Sequence, residues 1–536
     1  MEEDTMDWIS ELPEFIVHHI LSYLDSPKDL VRSSVLSKKW FALTASFPIL
    51  DFNFRNFVKS STSPSETDSD NDTRSFFKYV DYTISRCCEQ NVGIHTFNLV
   101  TPLQDSTQLD VIDRWLELIL NKAVKVLKVD ILDVPYVPQP LPMYRMPNKL
   151  LFASSLTSLM LCNCELPSSI MVDVVNFKSL KMLHLDSVRL NEDAIKRLII
   201  GCPLLEELIV DFCYGFKRFC VYGLQHLLLV DMCFNGELER IDIDAPNIRY
   251  LILADFEGRG APSMNMALCN KLTTLSYTGY PSPTLNDVTD LLSNFPYLET
   301  LFLDLPDARN KLKLSSHSLR TFTLLTACDL EDIDISTPNL LLFNYKANSH
   351  NPGPLVMNSV HSKARMECCL EDSIDTLWFP KLRRFLDKKI RFKELKLCIS
   401  AFSGHIDVEL LKVIQSPPYE LDQIDLEWDS IKDLSVHVVV VDAILWCCRP
   451  QSLTLGLNFP STDFEDWIHI VKFTYEKLLQ QEDQGRTNIQ IVISSSSKSK
   501  EHFNNLNALL TSLPHYRQGE RVTFIKEEGV FEEQDN

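Results

Sequence analysis

Apolar residues recur along this chain at two different spacings, and each predicts its own kind of element. Near the N-terminus they fall three and four residues apart: Ile16, Ile20 and Tyr23 form one stripe, and Val17, Leu21 and Leu24 form the next. That spacing gathers each set on one helix face. Leu12-Pro13 marks the start, because the missing N–H of Pro13 costs nothing in a first helical turn. Ser26-Pro27-Lys28-Asp29 is a capping-box pattern that opens a second helix carrying Leu30, Val31 and Val35. Ser37 opens a third, loaded with Trp40, Phe41 and Leu43. A segment of about 45 residues has too small an interior to bury all of these. The surplus predicts a partner.

Further along, the pattern becomes LxxLxL. It occurs at Leu156-Leu159-Leu161, Leu180-Leu183-Leu185, Leu205-Leu208-Val210, Leu224-Leu227-Leu229, Ile248-Leu251-Leu253, Leu272-Leu275-Tyr277, Leu298-Leu301-Leu303, Leu319-Phe322-Leu324 and Leu340-Phe343-Tyr345. The first positions advance by 24, 25, 19, 24, 24, 26, 21 and 21 residues, close to the leucine-rich-repeat period of about 20–29, which spends one strand and one returning segment per turn. Weaker copies extend the series at Ile94-Phe97-Leu99, Val124-Leu127-Val129, Phe392-Leu395-Leu397 and Leu421-Ile424-Leu426. Leu156 to Cys164, Leu205 to Cys213 and Leu340 to Asn348 reach the residue that, in such repeats, satisfies backbone groups where the chain leaves the strand. The other units lack it, so their turns should be irregular.

The returning segments are expected to differ. Residues 191–200, NEDAIKRLII, read as a helix that Pro203 breaks before the strand at Leu205. Before Ile248 and Leu340 the segments Asp242-Ile243-Asp244-Ala245-Pro246-Asn247 and Asp334-Ile335-Ser336-Thr337-Pro338-Asn339 predict loops on the outer side. Residues 59–75, KSSTSPSETDSDNDTRS, are polar, acidic and without aromatics, which predicts a disordered loop. The period lapses near residue 350, with a turn-rich break from Asn348 to Pro354. Residues 380–515 read as divergent repeats and an α/β cap that closes the stack, and 526–536 as a frayed acidic tail.

The N-terminal pattern closely resembles an F-box, through Leu12-Pro13-Glu14, Ile20-Leu21-Ser22-Tyr23-Leu24 and Val35-Leu36-Ser37-Lys38-Lys39-Trp40, all in family order and spacing. Residues 201–213 and 294–301 resemble repeats of plant F-box/leucine-rich-repeat proteins, and 443–455 resembles their closing part. The resemblance implies an α/β fold: a three-helix F-box over 8–52, an irregular leucine-rich-repeat solenoid with a curved parallel sheet over 92–350, firm over 156–348, and a C-terminal α/β cap. It also implies a Skp-type adaptor as partner and, through it, a cullin-RING ubiquitin ligase. Leu12, Pro13, Ile16, Val17, Ile20, Leu21, Leu24, Val31, Val35, Leu36 and Trp40 would carry that docking.

Strand parity nominates a second surface. If positions 1, 4 and 6 of LxxLxL face the core, positions 3, 5 and 7 face the concave side. These include His184, Asp186, Glu207, Asp211, His226, Tyr250, Phe302, Asp304, Asn344 and Lys346, a mixture of acidic and aromatic side chains suited to a basic, partly apolar protein segment.

Composition narrows the field. The 536 residues carry a formal charge of −21, which disfavours binding to nucleic acid or an anionic membrane. No apolar run approaches the roughly 20 residues of a membrane span, and the N-terminus MEEDTMDW is acidic where a secretory signal is basic, so an intracellular setting, nucleus or cytoplasm, is expected. Fifteen cysteines include no CxxC, so buried reduced thiols are expected and no metal or other cofactor. His18-His19 reads as structural or solvated. There is no GxxxxGK[ST], HExxH or GxSxG. The expected role is a non-catalytic receptor that holds a target for ubiquitin transfer; a scaffold without a degradation role and a small-molecule sensor of the same architecture remain open.

Overall fold

The computed structural model describes residues 12–23, 32–58, 66–89, 93–132, 143–234, 237–256, 262–266, 268–279, 295–305, 312–326, 333–347, 355–357, 363–371, 376–386, 392–401, 406–413, 417–428, 434–457, 464–481, 488–495, 498–512 and 521–527. The chain divides into two compact units, residues 1–257 with 262–272, and residues 258–261 with 273–536.

In the first unit, alternating apolar residues build one parallel ladder. Its strands are β1 (Ile49–Asn53), β2 (Thr96–Pro102), β3 (Val126–Leu132), β4 (Ser158–Cys162), β5 (Met182–Asp186), β6 (Glu207–Asp211), β7 (Leu229–Phe234) and β8 (Tyr250–Asp255). Each pairs with the next in parallel. The register aligns Leu50, Phe97, Leu127, Leu159, Leu183, Leu208, Val230 and Leu251 in a single buried row. Period-two alternation then leaves the intervening residues on an open face. The ladder thus begins at Ile49, inside the segment 8–52 assigned to the F-box, and well before residue 92.

Pairing corrects one repeat frame. Leu229 lies opposite Glu207 and Tyr250, so Val230 and Met232 are the inward pair, and the unit runs Leu227-Val230-Met232 instead of Leu224-Leu227-Leu229. Counted this way, the steps from Leu205 to Leu227 and on to Ile248 are nearly equal. His226 therefore leaves the open face for the exposed turn before the strand.

The second unit has its own ladder: β9 (Thr274–Thr278), β10 (Thr300–Leu305), β11 (Thr321–Thr326), β12 (Leu342–Ala347), β13 (Lys363–Glu371), β14 (Phe392–Ala401), β15 (Tyr419–Trp428) and β16 (Cys448–Leu457), paired in parallel in that order. Parallel pairing thus continues past residue 350, where the sequence period lapses. A direction change ends it: β17 (Asn488–Ser495), β18 (Lys498–Phe503) and β19 (Arg521–Glu527) are antiparallel, with β19 joined to both β16 and β17. Asn348 to Pro354, like most of the acidic tail, lies outside the described residues.

The returning segments are of three kinds: helices, short 3-10 turns at Asn148–Phe152 and Ser168–Met171, and secondary strands. Helix α5 below is the expected one. Two stretches predicted as loops are strands: Arg218–Tyr222, Arg240–Asp244 and Ser263–Asn265 form one three-stranded parallel sheet, and Leu312–Ser315, Ile333–Ser336 and Leu355–Met357 form another. Their Asp-Ile-Asp and Asp-Ile-Ser runs alternate polar and apolar, a strand pattern that the neighbouring Pro-Asn obscured. Asn247 and Asn339 donate to the carbonyls of Gln225 and His317 in the preceding repeat, at 2.7 and 2.6 Å.

In the first unit, helices precede the ladder and return the chain between its strands. They are α1 (Glu14–Leu21), α2 (Lys38–Ala45), α3 (Glu66–Glu89), α4 (Ser106–Leu120) and α5 (Glu192–Gly201). α3 corrects the loop expected over 59–75: residues 66–75 are its first turns, while 59–65 lie outside the described residues. The helix is anchored by Phe76, Val80, Ile84 and Cys87, all buried on one face. Phe76 meets Phe54 and Phe57 edge-on, with ring centres 5.4 Å apart in both cases. Tyr79 meets Phe52 of β1, and Phe77 meets Trp115 of α4. Trp115 Nε1 also donates to Asp81 at 2.9 Å. In α5, Asn191 caps the helix by accepting from the Ala194 N–H at 2.7 Å, and a side chain at Gly201 would collide with Val175.

The α3 anchor is directly testable. Phe76→Ala removes a ring from this aromatic cluster and should destabilise the protein by roughly 3–5 kcal/mol. Tyr82→Ala, on the exposed side of α3, should change stability by less than about 0.5 kcal/mol. Thermal melts of the two variants check the contrast; equal effects would contradict the packing described.

Candidate functional site

The N-terminal module begins at Pro13, whose extended backbone caps α1 and whose carbonyl accepts from the Ile16 and Val17 amides at 2.9 and 3.2 Å. Ser37 caps α2 by accepting from the Trp40 N–H at 3.2 Å. Val17, Leu21, Trp40, Leu43 and Phe47 pack into one small core, with Ile49 against it. His18 belongs to this scaffold: its Nε2 lies 3.0 Å from the Leu43 carbonyl and 3.2 Å from Ser46 Oγ, which donates to Glu14 at 2.6 Å.

This core divides the residues nominated for adaptor docking. Leu12, Pro13, Ile20, Val35 and Leu36 are exposed, Val35 at 80% and Leu36 at 68%, and Ile16 is half-buried. Val17, Leu21 and Trp40 are interior and hold the module together, so they are corrected from contact residues to core. Leu24, Val31 and the capping box at Ser26 lie outside the described residues. Phe15, Tyr23 and Phe41 are exposed and were not nominated as contacts. Phe41 receives the Arg86 guanidinium from α3, centred 4.5 Å from its ring, which ties the module to the repeats.

On the open face of the first unit, strand register gathers acidic side chains. Asp186, Asp211 and Cys233 are neighbours across β5, β6 and β7, and His184 and Asp231 lie two residues earlier, on either side of Ile209. Glu207 and Tyr250 flank Leu229 nearer the strand starts. His184 Nε2 is 3.1 Å from Asp211 Oδ2. Burial works to raise the Asp211 carboxyl, but hydrogen bonds from His184 and Cys233 outweigh it and hold the group below the usual carboxylate range. Asp231 has no such hydrogen-bond support; burial and the nearby Asp211 charge push its carboxyl up. The Cys233 thiol, mainly through burial and the Asp211 charge, rises to about 12 and stays protonated at neutral pH. Among the described residues, Asp211, Asp231 and Cys233 are the only three potential metal ligands so grouped.

In the second unit, the nominated Phe302, Asp304, Asn344 and Lys346 occupy outward positions on β10 and β12. Asn344 donates to Thr323 at 3.3 Å, and Lys346 lies 3.9 Å from Glu367. Burial raises the Asp304 carboxyl, partly offset by Lys346. Parity counted only over the firm units missed a charged network on the later strands of this ladder. Lys396 lies 3.8 Å from Glu367 and 2.9 Å from Glu427, Arg521 also pairs with Glu427, and Arg365 lies 4.0 Å from Glu394. The alternation in Phe392-Lys393-Glu394-Leu395-Lys396-Leu397 was the available signal.

Burial also accounts for the cysteines. The cysteines whose side chains are described are free thiols, and Cys162, Cys202 and Cys213 are pushed to about 12 chiefly by burial. Cys213 donates to the Leu185 carbonyl at 3.4 Å, the backbone-satisfying role expected of it. Among the described residues no helix is long and apolar enough to cross a membrane.

Comparison with known proteins joins the two surfaces. The F-box-like family matches residues 9–50, and the family described as "At1g61320/AtMIF1, LRR domain" matches residues 89–309. The chain is 27% identical over 379 residues to F-box/LRR-repeat protein At4g14096 of Arabidopsis thaliana, covering 68% of this chain and 75% of that protein. It is 29% identical over 259 residues to F-box/LRR-repeat protein 13 of the same plant, covering 47% of this chain and 52% of that one. F-box/FBD/LRR-repeat protein At1g78750 is 31% identical over 266 residues, 47% of this chain and 53% of its own length. The chain thus combines an F-box-like module with leucine-rich repeats, the two parts that also make up these similar plant proteins.

For this F-box/leucine-rich-repeat chain the acidic cluster gives a signed pH test. Asp211, with a lowered pKa, contributes stability that is present above the ordinary carboxylate range and lost as pH falls through its folded value. Asp231, with a raised pKa, acts oppositely: stability is lost as pH rises through its folded value. At neutral pH Asp211→Asn should lower the melting temperature, and Asp231→Asn should leave it unchanged or raise it. Near pH 3 both differences should shrink. Melts across pH check this, and the reverse order at neutral pH would contradict it.

Proposed function

We propose that this chain is a substrate-recognition subunit of a Skp-cullin-F-box ubiquitin ligase. The observation that carries the reading is the division of labour inside the N-terminal module. Val17, Leu21 and Trp40 complete its core, yet Leu12, Phe15, Ile20, Tyr23, Val35 and Leu36 remain exposed around it. So many large apolar side chains on so small a module mark a protein-docking surface. The F-box-like match over residues 9–50 supports a Skp-type adaptor as the occupant.

The repeats would hold a target protein. In such a complex, catalysis lies elsewhere: tethering raises the concentration of a target lysine near the charged conjugating enzyme, and the receptor needs no reacting group of its own. No catalytic family is indicated among the matches. A phosphate-binding sensor pocket is disfavoured, because Lys396, Arg365 and Arg521 each lie beside a carboxylate in the second unit. A nuclear or cytoplasmic setting belongs to this proposal.

The test separates surface from core. Burying a Val or Leu side chain fully is worth about 1.5–3 kcal/mol, so Val35→Glu with Leu36→Glu should weaken adaptor capture by roughly 100-fold or more while leaving the melting temperature unchanged. Pull-down with a purified Skp-type adaptor, paired with thermal melts, measures both. Undiminished capture by the folded double variant would sink the assignment.

A further inference from the structure

The turns that leave β4, β5 and β6 share one geometry. Asn163, Ser187 and Phe212 each adopt a left-handed backbone, with φ of 53°, 55° and 49°. Each amide donates to a carbonyl of the next strand: Asn163 to Asp186 at 3.0 Å, Ser187 to Asp211 at 2.8 Å and Phe212 to Cys233 at 2.8 Å. Asn suits this conformation, whereas a bulky side chain in it is an outlier. The turn itself has no use for an aromatic ring, as the two preceding repeats show.

Phe212 is nevertheless 41% exposed, and it touches a second exposed ring, Phe256, at a centre-to-centre distance of 5.5 Å. The pair sits just past the ends of β6 and β8. Asp211 immediately precedes Phe212, and Asp186 and Asp231 lie on the flanking strands. Counting outward positions over β1 to β8, the carboxylates are Asp51, Asp130, Asp186, Glu207, Asp211 and Asp231, against Lys128 as the single Lys or Arg among them. Two exposed rings, one of them on a strained left-handed residue, beside excess negative charge suit an occupant that offers both apolar surface and positive charge.

We propose that the Phe212–Phe256 rim and the carboxylates Asp186, Asp211 and Asp231 form a docking site for a Lys- or Arg-bearing segment of the target protein. The aliphatic stem of such a side chain packs on the rings, and its charged head reaches the carboxylates. A bound metal is the rival occupant. It would have to displace the proton of Cys233, whose thiol is held protonated by burial and by Asp211. The proposal rests on the receptor reading above and adds the chemistry of what is received.

Phe212→Asn keeps the left-handed turn with a residue that favours it, and Asp231→Asn removes a charge that burial and Asp211 both disfavour, so the double variant should fold. The probe is a fluorescent peptide of about a dozen residues carrying Arg and Leu among Gly and Ser; its control carries Glu in place of Arg. With the full chain, the Arg peptide should bind, weaken as salt rises from about 50 to about 200 mM, and lose roughly tenfold in affinity in the double variant. The Glu peptide should not bind. Equal affinity for wild type and double variant would overturn the proposal, because general negative charge would then hold the peptide. So would a rise in the melting temperature with Zn²⁺ alone that Asp231→Asn abolishes, which would assign the cluster to a metal. Adaptor capture is read separately and should be unaffected, so a failed rim and a failed receptor reading give different results.

Discussion

In-register parallel pairing is the constraint on which the rest of this chain depends. Leu183, Leu208, Val230 and Leu251 point inward only because each lies directly opposite the next. A slip of one residue would turn the buried row out to solvent and the carboxylates into the core. That buried row therefore fixes the outward side chains beside it, including the acidic cluster of β5 to β7. The returning segments are freer. A capped helix at Glu192–Gly201, short 3-10 turns and narrow secondary strands all serve, provided that they deliver the chain to the same starting row.

The helical module depends on that ladder too. Its core of Val17, Leu21, Trp40, Leu43 and Phe47 is small, and Ile49, the first residue of β1, already packs against it. The aromatic cluster of Phe52, Phe54, Phe57, Phe76 and Tyr79 continues from there through α3 to Trp115. These contacts give the module a defined attachment within the first unit. The proposed receptor role requires this, since a loosely hung target would sample many positions unproductive for transfer.

Much of this was legible in the sequence, and the misses have physical causes. Leu183, Leu208 and Leu301 were placed correctly because only one LxxLxL frame fits each of them. Around Leu224–Met232 two frames fit, since apolar residues fall at 224, 227, 229, 230 and 232, and only pairing with β6 and β8 decides between them. In the module, helical periodicity found both stripes but could not say that Val17 and Leu21 face inward while Ile20 faces outward; that depends on where α2 packs. The first turns of α3 looked like a loop because composition records no anchor, and the anchor is Phe76 and Val80 downstream. Lys396, Glu427 and Arg521 went uncounted because they come together only through β14, β15 and β19, far apart in sequence.

The proposed coupling of an adaptor-binding face to a target-binding face in one chain is tested most directly by following a protein captured on the repeats. A photo-crosslinking residue placed at Tyr250 would capture it, and its cellular half-life would be measured with the wild-type chain and with a chain whose exposed Val35 and Leu36 have been made acidic. The captured protein should be short-lived with the wild type and accumulate with the variant or when cullin activity is blocked. An unchanged half-life in all three conditions would contradict the coupling and leave the repeats as a scaffold.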